Sequence, residues 1–95
     1  MISVEATDTF RKWHGKLRDD RASKKIAIAI AKLAHGLGDI ASVGGGVSEV
    51  RIDYGPGYRL YFTRRGDTLI ILLCGGDKST QDRDIEKGKE MAAAL

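Results

Sequence analysis

A chain of 95 residues is one domain's worth of sequence, long enough to bury a modest core without disulfides or a structural metal. The longest apolar run, Leu69 to Cys74, is far too short to cross a bilayer, and a lone cysteine excludes an internal disulfide. The net charge of +3 is mildly basic and does not by itself establish a nucleic-acid partner. A single cysteine within an apolar run predicts a buried thiol and fits the reducing cytoplasm, without membrane association.

The first third of the chain predicts a short strand and two helices. Residues 2–6 alternate between apolar and polar side chains, which is the period of a strand. Thr7 or Asp8 can cap the first helix, and a second helix is predicted from about residue 21 to residue 35, with Gly36 as its C-cap. The apolar positions recur at helical spacing: Phe10, Trp13 and Leu17, then Ile26, Ile30 and Leu33.

Residues 37–47 include four glycines and are predicted to form a mobile loop. A Gly-rich loop raises the question of phosphate binding, but neither the Walker pattern nor the dinucleotide pattern is present. A connector, or a loop that contacts a partner, is therefore the favoured interpretation of this segment.

The stretch 48–81 predicts three strands joined by tight turns at residues 54–57 and 64–67. Residues 68–74 are almost wholly apolar, which is typical of a central strand covered on both faces. The glycine pair 75–76 is predicted to turn the chain sharply into a last helix. The elements together predict an α+β fold.

Strand alternation places a cationic set on one face of the predicted sheet. Arg51 and Arg59 should project from adjacent strands to the same side, a few ångströms apart. Two guanidiniums so close repel each other unless an anion lies between them, and either Asp53 or the phosphate of a ligand could be that anion. Tyr61, on the same face, offers a stacking surface and a hydroxyl.

The exit from the third of these strands adds a second charged element. Lys78 and Asp77 are predicted to close one side of a cleft, where a cation beside free backbone N–H groups would make an anion-binding corner. The two histidines and one cysteine show no ligand spacing, so neither a zinc site nor another cofactor is expected. A Ser-His-Asp or Cys-His nucleophile arrangement also has no support in the sequence.

The segments VSEVRIDYGPGYRLYF and LLCGGDKSTQDRDI closely resemble the HigB-like subgroup of the RelE/ParE superfamily. These proteins, often called addiction-module killer proteins, are toxins of type II toxin–antitoxin systems. The resemblance covers nearly the whole chain, including FRKWHGKLRD and VGGGVSE. It implies a single toxin domain over residues 1–95 with the order β-α-α-β-β-β-α, in which a helical hairpin packs on a mostly antiparallel four-stranded sheet.

The resemblance also implies an activity, namely metal-independent cleavage of mRNA in the ribosomal A site by attack of the ribose 2′-OH. Arg51 and Arg59 would then stabilise the charge of the phosphate and the transition state, and Lys78 the phosphate or the leaving group. The family's tyrosine after this lysine and its C-terminal histidine have no counterpart, so the general base stays open among Asp53, Tyr61 and Asp77. The implied RNA-binding set is Arg51, Asp53, Arg59, Arg64, Arg65 and Lys78.

The implied partners are the ribosome with its mRNA and a cognate antitoxin. HigA-like antitoxins usually carry a helix-turn-helix, so operator DNA would be reached only through the antitoxin complex. Two other functions remain open: a ParE-like inhibitor of DNA gyrase and an inert homologue that only binds its antitoxin. Retention of Arg51, Arg59 and Lys78 favours the nuclease.

Overall fold

The computed structural model describes residues 2–95, and within them it contains five strands and three α-helices. The strands are β1 (Ser3–Ala6), β2 (Ile40–Gly44), β3 (Val47–Ile52), β4 (Tyr58–Arg65) and β5 (Leu69–Gly76). The helices are α1 (Asp8–Gly15), α2 (Asp20–Leu33) and α3 (Gln81–Ala93), and a 3-10 turn (Lys78–Thr80) leads into α3. Within residues 2–95, none of the helices combines the length and apolar character needed to cross a membrane.

The strands form one mixed sheet in the order β1-β5-β4-β3-β2. β1 pairs with β5 in parallel, and the three remaining pairings are antiparallel. A bulge in β5 leaves Leu73 outside the register between the pairs Tyr61–Cys74 and Phe62–Leu72. The predicted α+β class is confirmed, whereas the predicted four-stranded sheet and the order β-α-α-β-β-β-α are wrong because the chain forms a fifth strand.

The missed strand, β2, lies in the segment predicted to be a mobile loop. Ile40 pairs with Val50, and Gly44 pairs with Val47 across the two-residue turn Gly45-Gly46. Both turn glycines have positive φ angles, 62° and 76°, which the tight turn of a hairpin requires. The glycines therefore mark a β-hairpin turn between two strands.

Helices α1 and α2 pack on one face of the sheet. Thr7 caps α1, since its hydroxyl accepts a hydrogen bond from the backbone N–H of Phe10 at 3.1 Å, and Gly36 follows α2 with a φ of 71°. The core on this face is wholly apolar. Its buried residues are Phe10, Ile26, Leu33, Val50, Leu60, Phe62, Ile70 and Leu72.

Helix α3 covers the opposite face, so helices lie on both sides of the sheet. Its partners in the second core are Val47, Tyr61, Leu73 and Cys74. A β-carbon on Gly88, midway along α3, would lie 3.6–3.7 Å from side-chain atoms of Tyr61, Cys74 and Val47. The absence of a side chain at Gly88 therefore lets the helix backbone lie close to the sheet.

The glycine pair predicted to turn the chain after the third strand instead ends β5 in extended conformation. A β-carbon on Gly75 would overlap the ring of Trp13, and one on Gly76 would overlap the carboxylate of Asp84. These glycines are thus places where side chains from α1 and α3 approach the strand from opposite faces. Asp77 is extended as well, and the chain turns in the 3-10 segment that begins at Lys78.

Candidate functional site

An open cleft of about 580 Å³ lies where β3 ends, β4 begins and β5 leads into the 3-10 turn. Its walls come from the Gly55-Pro56-Gly57 turn and from the charged ends of these elements. The charged residues that line it are Asp39, Arg51, Asp53, Arg59 and Lys78. Within residues 2–95, no group of three or more His, Cys, Asp or Glu side chains is arranged to hold a metal ion.

Arg51 and Arg59 are direct partners in the antiparallel register of β3 and β4, so their predicted adjacency is confirmed. Each has a carboxylate partner from the protein itself. Arg59 Nη1 donates to Glu49 Oε2 at 3.1 Å, and Arg51 Nη2 donates to Asp39 Oδ1 at 2.9 Å. The hydrogen bond and charge of Asp39 raise the pKa of Arg51. The interpretation of Asp53 as the neutralising anion is wrong.

The sequence analysis missed both carboxylates that pair with the arginines, Asp39 and Glu49, and Glu49 is the buried one. It is only 3% exposed, and its Oε2 also lies 4.0 Å from Arg51 Nε. Its Oε1 accepts a hydrogen bond from Gln81 Nε2 at 3.2 Å, which ties β3 to the first residue of α3. Strand alternation could have identified Glu49 as a partner of the arginines, because it lies two residues before Arg51 and therefore on the same strand face.

Arg59 and Arg51 differ in their freedom to bind a ligand. The side chain of Arg59 is 13% exposed, and its Nε is buried without a hydrogen-bond partner in residues 2–95. The side chain of Arg51 is 46% exposed, so its ion pair with Asp39 is screened by water and is worth little. Arg51 is therefore the arginine that an incoming anion could more easily take from its carboxylate.

Lys78 meets the Gly-Pro-Gly turn, as the predicted cleft requires. Its backbone N–H donates to the carbonyl of Pro56 at 3.4 Å. Its β-carbon lies 3.4 Å from the point that a β-carbon on Gly57 would occupy, and Gly57 has a φ of 80°. The ammonium of Lys78 forms no ion pair with any of residues 2–95.

Asp77 does not line the cleft. Its carboxylate accepts hydrogen bonds from the backbone N–H of Ser79 at 2.8 Å and from the Ser79 hydroxyl. It thereby caps the 3-10 turn and satisfies backbone donors at the start of a helical segment. These contacts give Asp77 a structural role beside the site.

Tyr61 is also absent from the cleft, and its predicted exposure as a stacking surface is wrong. It is 0% exposed, because α3 covers this part of the sheet and packs on it. Its hydroxyl is buried without a hydrogen-bond partner in residues 2–95, and burial raises its pKa well above the usual range. A base cannot stack on this ring while α3 is in place.

Arg64 and Arg65 lie at the far end of β4, exposed and opposite Ile70 and Leu69 of β5. Five residues of strand separate Arg59 from Arg64, which corresponds to roughly 17 Å. The structure therefore divides the predicted RNA-binding set. The members that line the cleft are Arg51, Asp53, Arg59 and Lys78.

The fold and the cleft define a small α+β protein whose sheet carries paired arginines beside an open pocket. No family model matches the chain. The chain is 50% identical over 95 residues to a Haemophilus influenzae protein described as uncharacterized, and the match covers 99% of this chain and 96% of that protein. The chain therefore belongs to the same family as this Haemophilus influenzae protein.

Proposed function

We propose that this protein is the toxin of a type II toxin–antitoxin system, of the HigB-like subgroup of the RelE/ParE superfamily. In this proposal it cleaves mRNA on the ribosome without a metal ion and is neutralised by a cognate antitoxin. The observation that carries the proposal is the direct pairing of Arg51 with Arg59 in a cleft that Lys78 also lines. The cleft volume of about 580 Å³ lies in the range of small-ligand sites, which suits a nucleotide-sized group.

The proposed reaction transfers a phosphoryl group within the RNA chain. The ribose 2′-oxygen forms a bond to the adjacent phosphorus, and the bond from phosphorus to the 5′-oxygen breaks. The 2′-OH proton passes to a base, and the departing 5′-oxygen takes up a proton. Arg51 and Arg59 would stabilise the charge that builds on the phosphate oxygens, and Lys78 would act at the phosphate or the leaving oxygen.

The base is best assigned to Asp53. Tyr61 is buried beneath α3, and the carboxylate of Asp77 is engaged by Ser79. Asp53 lines the cleft and forms no ion pair with any of residues 2–95. Among the three candidates, it alone combines access to the cleft with a carboxylate that forms no ion pair within the described residues 2–95.

The test is induction of the chain in a bacterial host, followed by mapping of new 5′ ends in total RNA. We expect growth arrest and cuts within translated messages, and we expect Arg51→Ala to reduce the cuts by about 100-fold or more, as loss of a transition-state donor does. Arg59→Lys keeps a positive charge beside Glu49 but loses the guanidinium fork, so it should also reduce cutting. Arg64→Ala, on the same strand but outside the cleft, is the matched control and should cut normally.

A different observation favours a second candidate, a homologue without nuclease activity that acts by binding. Both paired arginines already have carboxylate partners, Glu49 and Asp39, which weakens their attraction for RNA phosphate. Growth arrest with intact mRNA and altered plasmid supercoiling would indicate a ParE-like gyrase inhibitor. No arrest, together with binding to an antitoxin, would indicate an inert homologue, and either result would refute the nuclease.

A further inference from the structure

Glu49 lies behind the two arginines of the cleft, on the face of the sheet that α3 covers. It is the direct partner of Tyr61 across β3 and β4. Two residues further along, Arg51 is the direct partner of Arg59. Because side chains two residues apart on a strand point the same way, both pairs share one face of the sheet. Arg51 is therefore the neighbour of Glu49 along its own strand, and Arg59 is its diagonal neighbour across the pair.

Both oxygens of the Glu49 carboxylate have partners within the protein. Oε2 accepts a hydrogen bond from Arg59 Nη1 at 3.1 Å and lies 4.0 Å from Arg51 Nε. Oε1 accepts a hydrogen bond at 3.2 Å from Nε2 of Gln81, the first residue of α3. A single carboxylate thus contacts both guanidiniums of the cleft and is itself held by the helix that covers it.

Burial makes this contact different from the second ion pair of the cleft. The side chain of Glu49 is 5% exposed and that of Arg59 is 13% exposed, whereas the pair of Arg51 with Asp39 is about half exposed. Water screens an exposed pair strongly and a buried pair much less. A guanidinium is planar and rigid, so holding one of its nitrogens fixes the direction of its other N–H donors. Glu49 therefore determines where the free donors of Arg59 point.

Glu49 does not itself reach a molecule bound in the cleft. Arg51 and Arg59 line the cleft, whereas neither Glu49 nor Gln81 lines it. A general base must come within hydrogen-bond distance of the proton that it removes, so Glu49 is not a candidate for that role. It acts on a bound anion through the arginines, in two opposing ways. It orients them, and its negative charge reduces their attraction for phosphate.

We propose that Glu49 is a positioning residue for the reaction in the cleft, which raises the rate of cleavage while it lowers the affinity for RNA. It holds Arg59 from behind and keeps the two mutually repelling guanidiniums at one separation. Their free N–H groups then converge on a single phosphate. This inference rests on the proposed function and adds to it the buried carboxylate through which the two arginines act together.

Two measurements separate the rate from the affinity. Single-turnover cleavage of mRNA on programmed ribosomes, at increasing concentrations of the purified chain, gives the maximal rate. Co-sedimentation with ribosomes whose A-site codon carries 2′-O-methyl groups gives the dissociation constant, because the blocked 2′-oxygen cannot attack. Asp67→Asn is the matched control. It removes one negative charge in the exposed turn between β4 and β5, outside the cleft, and both values should stay at those of the wild type.

We expect Glu49→Gln to lower the maximal rate about 10-fold or more, since a misplaced group costs at least this much. The same variant should bind about 3- to 10-fold more tightly, because a negative charge close to the phosphate is lost. Glu49→Asp keeps the charge but withdraws the carboxylate by one methylene group, so it should lose rate without tighter binding. A merely structural role would lower the rate in proportion to the unfolded fraction and would not tighten binding.

Circular dichroism identifies a temperature at which all variants are folded, and both measurements are made there. Two results would overturn the inference while the nuclease stands: a wild-type rate in Glu49→Asp, or binding by Glu49→Gln no tighter than by Asp67→Asn. A wild-type chain that cuts no mRNA refutes the proposed function instead. In that case the binding measurement still decides whether Glu49 weakens the attraction of the arginines for an anion, with tighter binding by Glu49→Gln supporting it and unchanged binding refuting it.

Discussion

The two faces of the sheet are built from different kinds of side chain. The face under α1 and α2 buries a wholly apolar core. The face under α3 buries Glu49, Asp84 and the hydroxyl of Tyr61 among its apolar residues. Apolar burial stabilises the fold without directional requirements, whereas each buried polar group destabilises it unless a partner is correctly placed. The α3 face is also the one that leads into the cleft.

Polar contacts on the α3 face hold the start of that helix. Gln81 donates to Glu49, and the hydroxyl of Thr80 donates to Asp84. Asp84 occupies the space that Gly76 leaves open on β5. We therefore expect the apolar face to provide most of the stability, while the polar face positions Glu49 and Gln81 beside the cleft.

The largest expected effect is on the apolar face. Leu60→Ala should lower the free energy of unfolding by about 2–5 kcal/mol, because Leu60 is 0% exposed and a large-to-small change leaves a cavity. Urea denaturation monitored by circular dichroism measures it. A loss below about 1 kcal/mol would contradict the assignment of this face as the principal core.

The next effect concerns the buried carboxylate of the polar face. Glu49→Ala should lower the free energy of unfolding by about 1–3 kcal/mol, since it leaves the guanidinium of Arg59 without its acceptor. Glu49→Gln retains one acceptor oxygen and should cost less than Glu49→Ala. Equal losses for the two variants in the same denaturation experiment would show that the hydrogen bond to Arg59 does not matter.

The arrangement of the arginines could be predicted because strand alternation is a property of the backbone. Arg51 and Arg59 share a face when they are directly opposed, which is the register observed, and a turn at residues 54–57 favours this register, whereas a slip by one residue would put them on opposite faces. The partners of these arginines could not be predicted in the same way. Glu49 depends on α3 for its burial, and its contact with Gln81 spans 32 residues of sequence.

The missed strand and the misplaced tyrosine have a common physical cause. Local patterns report which residues share a strand face, but not which tertiary element covers that face. Tyr61 was correctly placed on the face of Arg59, yet α3 buries it. Glycines in the β2 segment predict a loop from the local sequence, and only pairing with β3 distinguishes a loop from a hairpin turn.

A smaller effect should come from the unpaired hydroxyl on the polar face. Tyr61→Phe removes a buried hydroxyl that has no partner in residues 2–95 and keeps the packing of the ring. We expect the free energy of unfolding to rise by about 1 kcal/mol, which corresponds to about 4–8 °C in melting temperature for a domain of this size. A lower melting temperature would mean that the hydroxyl is bonded to water.

The last prediction concerns the thiol of Cys74 on the polar face. Its ionisation does not change the free energy of unfolding at neutral pH. Burial raises the pKa of Cys74 to about 11 from an ordinary value of 9.0. Between these values the unfolded chain has lost the thiol proton while the folded chain retains it, so the unfolded state binds fewer protons and stability falls as pH rises. Wild type should therefore lose more stability than Cys74→Ala between pH 9 and pH 11, measured by urea denaturation at each pH. Every other ionisable group is present in both proteins and cancels in the difference, so parallel curves would show that the thiol is not held in its neutral form by burial.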